Sequence, residues 1–252
     1  MKCTGRTLLL ILMLLMIPSV ATAAPAVPII PTIDVQVGTG AEGPEGTSAT
    51  IQLLLILTVL SVAPSILLLM TCFTRIVVVL SFVRNALATQ QMPPNQVLVG
   101  LALFLTFFIM APTLAEVNER AVQPFLQGQI NQQQALQEAV VPMKEFMAKQ
   151  TRQKDLALFL EFAKAPRPNS VQEIPLSALV PAYVISELKT AFQIGFMIFI
   201  PFLVIDMIVS SILMGMGMMM LPPVMISLPF KILLFIMVDG WYLIVKSLLY
   251  SF

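Results

Sequence analysis

The 252-residue sequence contains no histidine, only two cysteines and few charged residues, which make up 11% of the chain. Without histidine, serine–histidine and cysteine–histidine nucleophile pairs are excluded, and the commonest transition-metal ligand is missing. We therefore expect no catalytic site, no metal site and no cofactor. Of the two cysteines, Cys3 lies in a segment that we expect to be removed, so the mature chain has no internal disulfide. Cys72, in an apolar run, is expected to be a small buried hydrophobe.

What the sequence has in excess is apolar residues. They make up 58% of the chain, and the mean hydropathy is +0.92, more than one soluble core of this length could bury. We therefore expect an all-α membrane protein. The formal net charge is only +1, and lysines and arginines are scattered, so nucleic acid is not an expected partner.

The N-terminus has the pattern of a signal peptide. Lys2 and Arg6 precede an apolar run over residues 8–17, and small residues follow up to Ala23. Ten apolar residues rise only about 15 Å against a hydrocarbon core of about 30 Å, which argues against a first spanning helix. We predict a cleaved signal peptide at residues 1–23. Residues 24–50, rich in Pro, Gly and Thr, are predicted to be a flexible linker on the periplasmic side.

Four later stretches are apolar and long enough to be candidate spanning helices: 51–73, 97–115, 191–213 and 225–249. They predict two hydrophobic helical hairpins, at residues 51–115 and 191–252. The connection between the first two stretches carries Arg75 and Arg84 and no acidic residue. Because basic residues are enriched in cytoplasmic loops, we expect this connection on the cytoplasmic side.

Residues 116–190 carry charges of both signs and many glutamines, which predicts a small helical periplasmic domain. Within it, apolar residues recur at helical spacing over residues 136–147 and 156–163, and Pro166 follows the second run. We expect two amphipathic helices, the second ending before that proline.

The apolar segments contain isolated charges, chiefly Asp206 and Lys231. An uncompensated charge at mid-bilayer costs about 2.5 to 3.5 kcal/mol on insertion scales, so the two are expected to be paired. The alternative is that both snorkel to an interface. The interior prolines, expected to break helical hydrogen bonding, are Pro64, Pro201 and Pro229.

A weak repeat places two adjacent prolines between apolar runs in each half of the chain. Pro93 and Pro94 follow Met92, and Pro222 and Pro223 follow the segment Met220–Leu221, so each hairpin is predicted to have a Pro-Pro apex. Counted from the second apex, Asp206 and Lys231 differ in axial height by roughly 8 Å. This offset predicts that the pair forms between neighbouring copies.

Methionines cluster before the second apex. Five of them, Met214, Met216, Met218, Met219 and Met220, surround Gly215 and Gly217. One interpretation is filler in an irregular core. The other is a flexible loop, loosened by the glycines, that forms a deformable apolar constriction when several copies surround an axis and gates it by dewetting.

Three long runs resemble the FliP family of flagellar type III export-gate proteins. They are FTRIVVVLSFVRNALATQQMPPNQVLVGLALFLTFFIMAPT at residues 73–113, IPLSALVPAYVISELKTAFQIGFMIF at 174–199 and IPFLVIDMIVSSILMGMGMMMLPPVMISLPFKILLFIMVDGW at 200–241. The resemblance covers nearly the whole chain from about residue 51.

The resemblance implies a homopentameric ring that assembles with FliQ and FliR among other export-apparatus membrane proteins, in the flagellar basal body of the bacterial inner membrane. Unfolded flagellar proteins would be secreted through it, driven by the proton motive force and a separate ATPase. It further implies a pore gasket at Met218, Met219 and Met220, and intramembrane charges critical for assembly at Asp206 and Lys231. The hairpins would be wound into a helical cone raised largely out of the bilayer, so the four segments would not all span.

Three other functions compete with this one. The nearest is the homologous gate subunit of a virulence injectisome, which has a different cargo. The weak repeat and the buried charges also suggest a secondary transporter. An intramembrane aspartyl protease would use Asp206 and Asp239, but nearby Lys231 favours ion pairing, and Val238-Asp239-Gly240 lacks the Gly-x-Gly-Asp pattern of such enzymes.

Overall fold

A computed structural model of the chain describes residues 44–89, 91–164, 166, 168–218 and 222–252, and every regular element in these ranges is helical. The expected all-helical class is therefore confirmed for the described chain. The predicted signal peptide and the first part of the predicted linker, residues 24–43, lie outside the described residues. The chain divides into two units, residues 1–55 and 56–252, and the described part of the first is the beginning of α1.

The helices follow one another with short connections. They are α1 (Pro44–Leu69), α2 (Phe73–Ala86), α3 (Asn95–Val117), a π-helical turn (Asn118–Val122), α4 (Gln123–Leu126), α5 (Gln132–Gln150), α6 (Gln153–Phe162), a 3-10 turn (Val171–Glu173), α7 (Leu176–Gly215), α8 (Pro223–Met237) and α9 (Gly240–Leu249). The two amphipathic helices predicted from periodicity are α5 and α6, and α6 ends before Pro166 as expected. A capping box between Asn131 and Gln134 fixes the start of α5.

The helix bounds correct two expectations. The predicted linker ended at residue 50, but α1 already begins at Pro44. The predicted periplasmic domain ended at residue 190, but α7 runs without interruption from Leu176 to Gly215. Pro64, Pro201 and Pro229, each expected to break a helical hydrogen bond, lie inside α1, α7 and α8, and the helices continue past them. One missing N–H per proline is tolerated where packing on either side supports the helix.

By length and composition, two helical stretches in the described chain could cross a membrane: Asn95–Leu126 and Leu176–Gly215. A third is possible if α8 and α9, which meet at a bend of 62°, form one crossing. The apolar part of α1, Leu53–Ile66, is shorter. Of the four candidate segments from the sequence, two or three therefore meet this criterion in the described chain.

Helix α2 is the centre of the main core. Its inward face consists of Ile76, Val79, Leu80 and Val83, all completely buried, at the i, i+3, i+4, i+7 spacing of one helical face. This face packs on α3 and α7. Cys72, just before α2, is buried in the same core, as expected. Phe252 and the buried residues of α9 also join it.

Helices α2 and α7 run parallel and approach closely. Arg75, in the first turn of α2, contacts Glu187 about three turns into α7. About two turns later in α2, the ring of Phe82 meets that of Phe192 edge-on at 5.2 Å. Gly195 makes the approach possible, because a Cβ at this position would lie 2.6 Å from the Phe82 ring. A smaller cluster, formed by Met147, Ile174, Leu179 and Tyr183, attaches α5 and the 3-10 turn to α7.

Candidate functional site

The guanidinium of Arg75 is almost completely buried in the described chain. Its Nε donates to Oε2 of Glu187 at 2.9 Å, and its Nη2 donates to Oε1 of Glu187 and to Gln150 Oε1 at 3.0 Å. Its Nη1 donates to the carbonyl oxygen of Ser251 at 2.6 Å and to the Ser251 hydroxyl at 3.1 Å. All five donors of the guanidinium are therefore used, which is what a buried arginine needs.

This network joins four separate parts of the chain. Arg75 comes from α2, Gln150 from the end of α5, Glu187 from α7, and Ser251 from the segment after α9. The ring of Phe252 lies 3.9 Å from the guanidinium carbon, and its carbonyl accepts a hydrogen bond from Gln150 Nε2 at 3.1 Å. Because both carboxylate and guanidinium are almost fully buried, loss of one partner would leave an uncompensated charge in an apolar core.

The network was missed by the sequence reasoning, which placed Arg75 on the cytoplasmic side and residue 187 in a periplasmic domain. Direct contact between Arg75 and Glu187 makes these two assignments incompatible. A signal was nevertheless present: Arg75 is the only charged residue between positions 53 and 83, and a lone charge in an apolar run requires a partner.

The second buried ion pair is the one that the sequence singled out. Lys231 Nζ donates to Oδ2 of Asp206 at 2.6 Å, and the Ser227 hydroxyl donates to Oδ1 at 2.5 Å. The Lys231 side chain is 2% exposed and that of Asp206 28%. The expected pairing of these two residues is thus observed, and it joins α7 to α8 within one chain.

The estimated offset between these two residues was wrong. It was counted from the second pair of prolines, but α7 ends at Gly215 and a connection precedes α8. Asp206 lies nine residues before the end of α7, and Lys231 lies eight residues after the start of α8 at Pro223. The two are therefore nearly level along the antiparallel helices. That the pair forms between neighbouring copies stays a prediction, which a single chain does not test.

An open groove of about 510 Å³ lies beside the Asp206 carboxylate. Its walls come from α7 and from the first turn of α8, and they are apolar except for Asp206 and two hydroxyls, with lining residues Leu203, Met207, Ser210, Ser211, Met214, Pro223 and Val224. Each oxygen of Asp206 accepts one hydrogen bond, so acceptor capacity remains on the groove side.

The methionine cluster begins at the end of α7. Gly217 has a left-handed φ of +77°, and the amides of Gly217 and Met218 donate to the carbonyls of Met214 and Leu213, both at 3.0 Å. This is a Schellman cap, so Gly217 fixes the helix end rather than loosening it. Gly215 is the last residue of α7, outside the connection. The expected flexibility of the loop stays a prediction.

Of the three methionines expected to form a gasket, only Met218 belongs to the described chain, where it is 42% exposed. Met219 and Met220 lie outside the described residues. The neighbouring side chains of Met214 and Met216 are also exposed, at 57% and 60%. The predicted gasket is therefore untested.

The prolines expected at the hairpin apices lie at helix starts. Pro94 is the residue before α3, and the bond between Met92 and Pro93 is cis. Pro222 is the residue before α8, and Pro223 is its first residue. A proline suits this position because the first amides of a helix have no partner within the helix.

Asp206 and Asp239 occupy different environments. Asp206 is held by Lys231 and Ser227, whereas Asp239 is exposed at the bend between α8 and α9, with a φ of +49°. The two carboxylates therefore do not form the shared site that an aspartyl protease needs. In the described ranges, no group of three or more acidic or cysteine side chains could hold a metal ion.

Comparison with known proteins places these features in a single family. The model of the FliP family matches residues 56–248. The flagellar biosynthetic protein FliP of Bacillus subtilis is 72% identical over 192 residues, covering 76% of this chain and 87% of the relative. The FliP proteins of Pectobacterium carotovorum and Aquifex aeolicus are 56% and 50% identical, covering 75% and 76% of this chain and 73% and 81% of the relatives.

Proposed function

Because this chain belongs to the FliP family, we propose that it is a non-enzymatic core subunit of the flagellar type III protein export gate. In this proposal, it forms with FliQ and FliR the pore in the bacterial inner membrane through which unfolded flagellar proteins are secreted. The observation that carries the proposal is the family match over residues 56–248, a range that includes both ion pairs and the methionine cluster.

The proposal assigns different work to the two polar clusters. The Arg75 network holds α2, α5 and α7 in one subunit, so that each copy is a rigid wall element. The Asp206 carboxylate, partly exposed beside an apolar groove, is available to a polar group on a neighbouring copy. A homopentamer built on this surface would bring five methionine loops to one axis.

In that ring, Met218, Met219 and Met220 would line the narrowest part of the pore. Unbranched thioether side chains can repack around differently shaped polypeptides while still excluding water. An apolar constriction of this kind blocks ions by dewetting when no cargo is present. The Pro-Pro segments, at the ends of two antiparallel helix pairs, would set the positions of the loops.

The direct test of the function is genetic. A flagellated bacterium lacking its own copy of the gene should neither swim nor secrete flagellar hook and filament proteins into the medium. Bacillus subtilis is a suitable host, because its FliP is 72% identical to this chain. Expression of this chain in the deletion strain should restore swimming and secretion. If secretion of flagellar proteins is normal in the deletion strain, the proposed function is wrong.

The gasket is tested separately, in the assembled complex. Replacement of Met218, Met219 and Met220 by alanine should raise the resting ion conductance of membranes that contain the closed complex. The matched control replaces Met237, an exposed methionine on α8 that is 76% accessible and lies outside the loop. Equal resting conductance in both variants would contradict the gasket.

A further inference from the structure

Tryptophan and tyrosine, which combine an apolar ring with a hydrogen-bonding group, are distributed unevenly in this chain. It contains one tryptophan and three tyrosines. Tyr183 is completely buried, whereas Trp241, Tyr242 and Tyr250 are 39%, 58% and 82% exposed. All the exposed Trp and Tyr side chains therefore lie on α9 or directly after it. Tryptophan and tyrosine are enriched where a protein surface meets the headgroup region of a bilayer.

The charges on α9 agree with this location. Lys246 lies one turn after Tyr242, with its ammonium 5.7 Å from the ring centre, and one turn before Tyr250. Asp239 is exposed where the chain bends into α9. Within the described chain, neither residue contacts a side chain of opposite charge, in contrast to Asp206 and Lys231. Unpaired charges at both ends of a short helix are strongly disfavoured in hydrocarbon and tolerated at its edge.

The shape of α9 is also that of a surface helix. It has ten residues, about 15 Å in length, and it departs from α8 at an angle of 62°. One face, formed by Gly240, Ile244 and Leu248, is buried against the rest of the chain. The opposite face carries Tyr242 and Lys246 outward. Trp241 lies at the edge of the buried face, where its ring packs edge-on against Phe235 at 5.4 Å and remains 39% exposed.

We propose that α9 lies in the membrane–water interface, with its exposed aromatic rings at headgroup level and Lys246 bound to the phosphate of an anionic phospholipid. The inference does not depend on the proposed export function, because it rests only on the exposure, charge and bend of this helix. In this position, α9 sets the depth of α7 and α8 in the bilayer.

Trp241 is the only tryptophan in the chain, so its fluorescence reports on α9 without any added probe. The full chain is reconstituted in phospholipid vesicles that contain lipids brominated either near the glycerol end or near the methyl end of the acyl chains. The proposal predicts quenching about twofold or more stronger with the shallow bromines. Stronger quenching by the deep bromines would mean that α9 continues a crossing begun by α8, and equal or no quenching would mean that protein covers it. Either result overturns the proposal.

The contact with an anionic headgroup is tested by comparing quenching by brominated phosphatidylglycerol and brominated phosphatidylcholine at equal mole fraction. We expect phosphatidylglycerol to quench about twofold more, and Lys246→Gln to abolish the difference. Lys154→Gln, which removes an exposed lysine on α6, is the matched control and should preserve it. If Lys246→Gln also preserves the preference, Lys246 does not bind the headgroup.

Discussion

The two buried ion pairs of this chain differ in what surrounds them. Arg75 and Glu187 are both almost fully buried, and the remaining guanidinium donors of Arg75 bind oxygen atoms of Gln150 and Ser251. Asp206 accepts one further hydrogen bond, from the Ser227 hydroxyl, and its side chain remains 28% exposed. The first pair joins four parts of the chain, whereas the second joins only α7 and α8.

From this difference we infer that the Arg75–Glu187 pair stabilises the interior of the chain, whereas Asp206 lies on a surface that another molecule can reach. The Glu187 carboxylate is completely buried, so no other molecule can reach it. The Asp206 carboxylate opens on a groove. Because burial raises the cost of an unpaired charge, the two sites should also respond differently to the loss of one partner.

The largest expected effect is at Glu187. Glu187→Leu leaves the Arg75 guanidinium buried without its counter-charge, and we expect the free energy of unfolding to fall by about 3–5 kcal/mol. Thermal unfolding of the detergent-solubilised protein measures this, with Glu161→Leu on the exposed face of α6 as the control. The double variant Arg75→Met/Glu187→Leu should recover much of the loss. An unchanged unfolding temperature in Glu187→Leu would show that the network does not stabilise the fold.

A smaller and asymmetric effect is expected at the second pair. Asp206→Asn leaves the buried Lys231 ammonium without a counter-charge and should cost about 1–3 kcal/mol. Lys231→Met should cost less, because the remaining carboxylate is partly exposed and keeps its bond from Ser227. Asp239→Asn, at an exposed carboxylate, is the control in the same unfolding assay. Equal losses at Asp206 and Glu187 would remove the distinction between the two sites.

The close approach of α2 and α7 can be tested independently of charge. Gly195→Ala places a methyl group 2.6 Å from the Phe82 ring, and we expect it to destabilise the fold by about 1–3 kcal/mol. Gly100→Ala, in α3, meets no atom within 4 Å and should be neutral or slightly stabilising, because alanine favours helix. If both variants unfold at the same temperature, the two helices are farther apart than described.

The smallest effect concerns the attachment of α6 to α7. Asp155 accepts a hydrogen bond from the Ser186 hydroxyl and forms an ion pair with Arg152 Nη2, both at 2.6 Å. These partners lower the pKa of its carboxyl below the ordinary value of 3.8. A lowered folded-state pKa stabilises the fold at neutral pH, and this contribution disappears as the pH falls below 3.8 towards the folded-state value.

Asp155→Asn should therefore lower the stability by about 1 kcal/mol at pH 7, as measured by denaturant unfolding of the solubilised protein. The difference in the free energy of unfolding between Asp155→Asn and the unsubstituted chain should become smaller once the pH falls below 3.8. A difference that stays constant down to the most acidic pH at which the protein remains folded would mean that the carboxylate charge at Asp155 contributes nothing.

Local pattern and composition predicted much of this molecule. Apolar periodicity predicted α5 and α6, and the apolar runs predicted a membrane protein. The isolated charges of Asp206 and Lys231 predicted that these two residues pair. These inferences succeed because they depend on neighbours along the chain or on the high cost of an unpaired charge in an apolar setting.

Long-range packing and helix continuity were not predictable in the same way. Arg75 and Glu187 are 112 residues apart, and nothing local indicates that α2 lies parallel to α7. The continuity of α7 through Pro181 and Pro201 likewise depends on packing that outweighs a missing hydrogen bond. The register of Asp206 and Lys231 was misjudged because it depends on where α7 ends, which the cap at Gly217 decides.

The central claim, that this chain works as one of several copies around a pore, is tested most directly by the native mass of the complex extracted from membranes in mild detergent. The account predicts a particle with five copies of this chain together with FliQ and FliR. A particle that contains a single copy of this chain would contradict it.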